Sequence, residues 1–150
     1  MIRTFDASEI NLVLNHPDVH SQVSYFTPIG GLDAQPLLDD PRNVLLTTKG
    51  GGVLFAYQGG GVYDAHIQFL PGFRGKNALN AARDAVKWLF THTDAVAITA
   101  RIPVYARGSE YIARAVGFRF REKQPRSWPC DNGPIDAKLY TLTRSSWGQD

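Results

Sequence analysis

Residues 66–90 read HIQFLPGFRGKNALNAARDAVKWLF, and they join two kinds of secondary structure. The first part is rich in apolar residues and ends at Pro71-Gly72, a dipeptide typical of turns. After Arg74-Gly75-Lys76, apolar residues recur at helical spacing, namely Leu79, Ala82, Val86, Leu89 and Phe90. The stretch therefore predicts a strand, a basic glycine turn and a helix over residues 76–90.

The seam between this strand and this helix has the features of an anion site. A helix that starts directly after a strand presents unpaired backbone N–H groups and a partial positive charge. Gly75 lets the backbone approach a ligand closely, and Arg74 and Lys76 add positive charge. A pyrophosphate would fit such a place. The alternative is a plain turn whose basic side chains are only solvated.

The composition is that of a folded protein. The chain has 150 residues, of which 43% are hydrophobic and 20% charged, so we expect one domain over residues 1–150. No apolar run approaches the roughly 20 residues that span a membrane, and the N-terminus lacks a secretory pattern. Cys130 is the single cysteine, which excludes an internal disulfide and a cysteine-based zinc site. We therefore expect a cytoplasmic protein without a membrane partner.

Positive charge is concentrated in the middle of the chain. Residues 71–126 carry eleven Lys and Arg against four Asp and Glu, whereas residues 1–70 carry three against seven. This asymmetry indicates an anionic partner, either a phosphate-bearing ligand or nucleic acid. The alternative is a solvated helix face together with a basic strand.

The remaining segments alternate between strand and helix patterns. Strands are predicted at 2–6, 43–51, 52–61, 62–70, 95–103, 118–123 and 138–144. Helices are predicted from Asp6 or Ser8 to about Leu14, and over 18–26, 33–39, 76–90 and 107–118, the last stopped by Gly117. The expected fold is α/β (α+β): a mixed, mostly antiparallel sheet of about seven strands flanked by helices. Its order is β-α-α-β-β-β-α-β-α-β-β, with strands 62–70 and 95–103 parallel through a crossover.

The fourth strand carries an unexpected polar stripe. Alternation places Asp64, His66 and Gln68 on one face, although a central strand of a mixed sheet is usually covered on both faces. If the protein is an enzyme, His66 would be the general base, with Asp64 as its orienting partner or as the base itself. The alternative is a buried, hydrogen-bonded structural pair.

Other histidines and the tryptophans have simpler interpretations. His16 and His20 have a spacing that can chelate a metal on a helix, but Pro17 disturbs that helix and a third ligand is missing, so no metal site is expected. His92 follows the long helix and would complement its C-terminal dipole. Trp88 is predicted to lie in the core. Trp128 and Trp147 are predicted either to line a binding groove or to seal a sheet edge.

The element order, the stretch FLPGFRGKNA and the later segment AVGFRF together resemble the GNAT N-acetyltransferase superfamily over essentially the whole chain. In that family the fourth strand ends in a pattern like Val-x-Pro-x-Tyr-Arg-Gly, to which residues 69–75 are similar. The resemblance implies acetyl-CoA as cosubstrate and no metal. It also implies that the main chain at Phe69 bonds the pantetheine arm and that the turn and helix start hold the pyrophosphate, through Arg74, Gly75, Lys76, Asn77, Ala78 and Leu79.

The chain departs from the family pattern at four positions. The family signature places small residues where Asn77 and Leu79 stand here. It also places an Asn and a Tyr at the positions of Ala106 and Ala113, and that Tyr usually protonates the departing CoA thiolate. Tyr105 and Tyr111 are near these positions but out of register. The resemblance therefore implies a degenerate cofactor motif that lacks the usual general acid.

Three functions remain open at this point. The first is an N-acetyltransferase acting on a primary amine of a small molecule or a protein. The second is a catalytically inactive GNAT-like phage structural or host-interaction protein, in the virion or the host cytoplasm, because residues 15–19 (NHPDV) resemble an element of phage-encoded GNAT-like proteins. The third is a nucleic-acid binder through Gly72-Phe73-Arg74-Gly75, which ranks below the others because the matching KH-domain loop joins two helices. A homodimer also stays open.

Overall fold

The computed structural model describes residues 1–19, 31–130 and 132–148. Its strands are β1 (Ile2–Thr4), β2 (Val44–Thr48), β3 (Gly51–Gly59), β4 (Val62–Phe69), β5 (Ala97–Pro103), β6 (Arg119–Trp128) and β7 (Ile135–Thr143). Its helices are α1 (Ser8–Leu14), α2 (Gln35–Leu38), α3 (Lys76–His92), α4 (Arg107–Val116) and α5 (Arg144–Trp147), with a 3-10 turn at Pro71–Phe73.

The seven strands form one mixed sheet in the order β1-β2-β3-β4-β5-β7-β6. Neighbouring strands are antiparallel except β4 and β5, which are parallel and connected through α3. The predicted seven-stranded, mostly antiparallel sheet and the parallel crossover are therefore confirmed. The predicted hairpin between the strands now named β2 and β3 is confirmed as well.

The two faces of the sheet are packed by different helices. On one face, α3 buries Ala85, Val86, Leu89 and Phe90 against strand residues such as Phe55. On the other face, α1 and α2 pack against Leu45 and Leu54 of β2 and β3. The alternation predicted for β4 holds, since Tyr63 and Phe69 are buried while His66 is exposed.

Several boundaries differ from the sequence prediction, and three of the differences have a visible structural basis. The N-cap of α1 is Ala7, and Asp6 instead accepts bonds from the amide and hydroxyl of Ser8. Strand β6 continues through residues predicted as a turn, because it is an edge strand and its pairing with β7 resumes at Trp128 after a bulge. The last strand ends one residue earlier than predicted, and the short helix α5 follows.

Arg144 explains why the chain turns into α5 at that point. Its guanidinium donates to the carbonyls of Phe90, Thr93 and Ala95 at 2.8–2.9 Å. These bonds tie the end of β7 to the segment between α3 and β5. The second helical piece predicted over residues 18–26 falls mostly on residues outside those described.

Candidate active site between two separating strands

Strands β4 and β5 pair over only part of their length. The parallel register runs from Val62 opposite Ala97 to Asp64 opposite Thr99, yet β4 continues to Phe69 and β5 to Pro103. Beyond the last pair the two strands separate. Their facing backbone edges are therefore left unpaired with each other, and such an edge can hydrogen-bond an extended ligand.

A cavity of about 940 Å³ opens between the separated strands. Its wall is formed by β4 from Ala65 onward, the last four residues of β5, the first turns of α3, residues along the whole of α4, and the end of β6. This volume lies within the range of about 300–1,000 Å³ that is usual for small-molecule pockets.

The start of α3 forms one end of this cavity. Gly75 is the N-cap, with φ +75° and ψ −128°, and no side chain caps the helix. Leu79 N–H bonds the Gly75 carbonyl at 3.0 Å, whereas the amides of residues 76–78 have no acceptor in the described part of the chain. Six of the seven residues predicted to bind the cosubstrate line the cavity, namely Phe69, Arg74, Gly75, Lys76, Ala78 and Leu79; Asn77 is exposed outside the wall.

Arg74 and Lys76 have different surroundings. Arg74 donates from Nε to the Phe69 carbonyl and from Nη2 to the Asp18 carbonyl, both at 3.2 Å. Lys76 is exposed and makes no hydrogen bond or ion pair with the described residues. Arg74 thus braces the turn, while Lys76 is the cation whose charge is available at the helix start.

The polar stripe of β4 forms a hydrogen-bonded chain at the split. His66 Nε2 lies 3.0 Å from Asp64 Oδ2, and the other carboxylate oxygen accepts a 2.8 Å bond from the Thr99 hydroxyl. The side chain of His66 is 47% exposed and that of Asp64 25%, so the pair opens toward the cavity rather than lying in the core. The pair is hydrogen-bonded, as the structural alternative requires, but it is only partly buried. His66 lines the cavity, and Asp64 supports it from behind.

Asp64 is a carboxylate that stays ionised. Burial by itself would raise the pKa of Asp64, but the hydrogen bond and charge of His66, the hydroxyl of Thr99 and the charge of Arg101 together lower it. Ionised Asp64 fixes the orientation of His66 by accepting from Nε2, and Nδ1 has no hydrogen-bond partner among the described residues.

The start of α4 shows what the departures from the family pattern do. Ala106 is the N-cap of α4, Ala113 is buried in its last turns, and both line the cavity. Tyr105 and Tyr111 also line it. Burial and the nearby Cys130 raise the pKa of Tyr105, and a hydrogen bond with Trp128 lowers it by less. Tyr105 therefore keeps its proton at neutral pH.

Two wall residues were not among the predicted catalytic and cofactor-binding residues, although Trp128 was predicted to line a groove or seal a sheet edge. Arg101 of β5 lies with its guanidinium 5.8 Å from the ring centroid of Trp128 at the end of β6, and both line the cavity. The signal for Arg101 was a charged residue inside the otherwise apolar run AVAITARIP. The signal for Trp128 was weaker, because only the bulge after Gln124 brings it to the wall.

The other candidate residues lie away from the cavity. Trp147 packs on Phe90 with ring centroids 5.0 Å apart, so it covers the sheet rather than lining the groove. His92 donates from Nδ1 to the Trp88 carbonyl in the last turn of α3 and stacks on the partly buried Trp88 ring. His20 lies outside the described residues. The described ranges contain no group of three or more His, Cys, Asp or Glu able to hold a metal, and no helix in them is long and apolar enough to cross a membrane.

The sequence matches no protein-family model and no curated protein. Solved structures do match it. Spermidine N-acetyltransferase from Vibrio cholerae, solved with CoA and spermine, is 14% identical with a TM-score of 0.80 over 99% of this chain and 95% of that chain. Ribosomal-protein-S5-alanine acetyltransferase from Vibrio fischeri is 16% identical with a TM-score of 0.75 over 98% and 92%. A GNAT-family acetyltransferase from Bacillus anthracis is 18% identical with a TM-score of 0.73 over 95% and 92%.

At these identities the likeness concerns the fold. It extends over nearly all of each chain, including the region in which β4 and β5 separate. The chain therefore has the fold of the GNAT N-acetyltransferases.

Proposed function

We propose that this protein is an acetyl-CoA-dependent N-acetyltransferase that transfers the acetyl group to a primary amine. The observation that carries the proposal is the split between β4 and β5. It opens a large cavity with an uncapped helix start at one end and the His66–Asp64 pair on its wall.

The parts of acetyl-CoA have matching features along this cavity. The free amides of residues 76–78 and the ammonium of Lys76 suit the pyrophosphate. The unpaired edge of β4 suits the amide groups of the pantetheine arm. Because Phe69 O already accepts from Arg74, the arm would draw its bonds mainly from other groups on this edge.

The chain's own residues then account for the proton of the amine. The amine nitrogen must be neutral to attack the thioester carbon, forming the new C–N bond as the C–S bond breaks. His66, held by Asp64, takes the proton that the nitrogen loses, directly or through one water, and the CoA thiolate takes up a proton from water and leaves as the free thiol. The wall also carries several cations, whose charge favours the neutral form of an amine.

Asn77 and Leu79 bear on how tightly the cosubstrate binds. The side chain of Asn77 lies outside the cavity wall, so the amide of residue 77 remains accessible to a phosphate. Leu79 is partly buried in the wall and adds apolar surface near the phosphate end. We infer that Asn77 and Leu79, which stand where the family pattern has small residues, weaken binding of the cosubstrate without abolishing it. Ala106 and Ala113, which stand where the family pattern has an Asn and a Tyr, place no proton donor at these two positions of the wall.

Calorimetry with acetyl-CoA, paired with thermal unfolding, tests the proposal. Ligand at 100 times its dissociation constant should raise the free energy of unfolding by about 2.7 kcal/mol. Transfer is then followed by release of the free CoA thiol in the presence of amines. Absence of both heat and stabilisation at millimolar acetyl-CoA would overturn the proposal. Binding with no transfer to any amine would instead favour the non-catalytic GNAT-like alternative.

A further inference from the structure

The cavity wall is cationic. Among the described residues that line it, the charged side chains are Arg74, Lys76, Arg101 and Arg107, and none is an aspartate or glutamate. Arg74 and Lys76 lie at the helix start that suits phosphates. Arg101 lies on β5, away from that helix, and therefore calls for a different explanation.

Arg101 faces the same side of the sheet as the His66–Asp64 pair. Thr99 bonds Asp64, and alternation along β5 puts Arg101 on the face of Thr99, as His66 is on the face of Asp64. Beyond the last β4–β5 pair, His66 on β4 and Arg101 on β5 are thus the first residues whose side chains lie on this face of the sheet. A substrate whose amine lies at His66 would therefore also lie near Arg101.

The guanidinium of Arg101 is not used by the described part of the fold. It makes no hydrogen bond or ion pair there, and its one ring contact is with Trp128. It contributes to the electrostatic field at Asp64, but both oxygens of Asp64 already accept bonds, from His66 and Thr99. Neutralising Asp64 therefore does not account for its position.

The end of β6 holds Trp128 in place beside Arg101. Residues 125–127 form a bulge in which Arg126 has φ +52°, and its amide donates to Asp136 at 3.0 Å. Non-glycine residues rarely adopt this conformation. Past the bulge, Trp128 resumes pairing with β7, contacts Arg101 and hydrogen-bonds Tyr105. A guanidinium resting on an aromatic ring presents its planar set of donors in a restricted orientation.

We propose that the acceptor is an amine that also carries a negatively charged group, a carboxylate or a phosphate, bound by Arg101. This inference rests on the proposed acetyltransferase function and names the class of its substrate. The guanidinium fork matches the two oxygens of either anion. A polyamine would place further positive charges beside Arg101 with no carboxylate in the described wall to compensate them.

The residues outside the described ranges limit the rival explanation. Residues 20–30 contain no aspartate or glutamate, so they cannot supply an acidic site for a polyamine. Asp131 is the one acidic residue next to the end of β6 that lies outside those ranges. It therefore enters the test as a variant.

Matched pairs of amines test the proposal. Acetylation of tyrosine is compared with acetylation of tyramine, which lacks the carboxylate. Acetylation of phosphoethanolamine is compared with acetylation of ethanolamine, which lacks the phosphate. Spermidine serves as the polycation. We expect kcat/KM to favour the anionic member of at least one pair by about tenfold or more, the scale of a charge-assisted hydrogen bond. The preferred pair tells a carboxylate from a phosphate. Faster acetylation of spermidine or of the members that lack the anionic group would overturn the proposal.

Variants assign the preference to Arg101. Arg101→Ala should erase the preference for the anionic amine, and Arg101→Lys should keep part of it, while both retain the wild-type affinity for acetyl-CoA. Arg121→Ala is the matched control, because Arg121 is exposed on β6 outside the cavity wall. Asp131→Asn should leave the preference intact. An unchanged preference in Arg101→Ala, or a loss of activity in Asp131→Asn restricted to cationic amines, would contradict the assignment.

A binding measurement separates this proposal from the function on which it rests. If acetyl-CoA fails to bind, the acetyltransferase function itself is overturned. If acetyl-CoA binds but no amine of the panel is acetylated, thermal unfolding of the CoA complex is measured with each pair. Extra stabilisation by the anionic amine that is lost in Arg101→Ala supports the proposal, and equal or no stabilisation by the two members of each pair overturns it.

Discussion

His66 and Arg101 occupy matching positions on two strands that separate, each two residues beyond the last pair joined across the sheet, Asp64 and Thr99. The hydrogen bond from Thr99 to Asp64 lies at the point of separation. The general base that we propose and the free guanidinium therefore flank one opening. Their side chains face the same side because both strands alternate from the same pair.

Replacing His66 by Gln should lower turnover by roughly 100-fold or more, the usual contribution of a general base. The Gln side chain can still donate to Asp64, so stability and acetyl-CoA affinity should change little. Turnover is measured for wild type and His66→Gln at saturating acetyl-CoA. A stable variant with full turnover would remove His66 from the mechanism.

Asp64 should make the fold sensitive to acid. Its pKa is lowered in the folded state, so its ionised form stabilises the protein above the ordinary carboxyl value of about 4. That contribution is lost as pH falls through the lowered folded value. The difference in unfolding free energy between wild type and Asp64→Asn should thus shrink below about pH 4. Thr99→Val, which removes one bond to the carboxylate, should reduce this pH-dependent difference; urea unfolding across pH checks both.

Lys76 and Arg74 should give opposite results although both are basic residues of the same turn. Lys76→Ala should raise the Kd for CoA by about three- to tenfold, the scale of about 1 kcal/mol for a charge near a helix N-terminus, and leave the melting temperature unchanged. Short pantetheine analogues, which lack the phosphates, should bind the variant as they bind wild type. Equal losses for both ligands in calorimetry would show that Lys76 does not contact phosphate.

Arg74→Ala should instead lower stability, by about 1–3 kcal/mol, since it removes two bonds from a charged donor to the carbonyls of Phe69 and Asp18. Loss of the Arg74 side chain should weaken binding of pantetheine analogues as well as binding of CoA, because its two hydrogen bonds hold the end of β4 in place. An unchanged melting temperature together with weakened CoA binding alone would assign Arg74 to the phosphates after all.

Gly75 should be the glycine of this turn that cannot be replaced. A Cβ at Gly75 would meet open space, yet φ +75° strains any other residue, so Gly75→Ala should cost about 1–3 kcal/mol and weaken CoA binding. Gly72 is the matched control, because it also faces open space but does not have a positive φ. Gly72→Ala should change the unfolding free energy by no more than about 0.5 kcal/mol. Similar effects of the two variants on the melting temperature would contradict this reading of the turn.

The order of elements and the polar stripe could be predicted because they follow from local periodicity. The helix over residues 76–90 repeats its apolar residues every three to four positions, and β4 alternates, so both exposed faces were defined before any partner was known. The turn at Gly75 was predicted from residue type alone. The boundaries of β6 were not, because pairing on an edge strand tolerates Pro125 and resumes beyond a bulge.

The sequence by itself therefore determined the α/β fold, the faces of its strands and the placement of a basic turn before a helix. Only the tertiary structure decided where β4 and β5 stop pairing, that Arg74 bonds a carbonyl 56 residues away, and that Arg101 meets Trp128 and faces the side of His66. The physical reason is that periodicity records which face of an element is apolar. The partners of a side chain depend instead on strand register and separation, which are set by contacts between residues far apart in the chain.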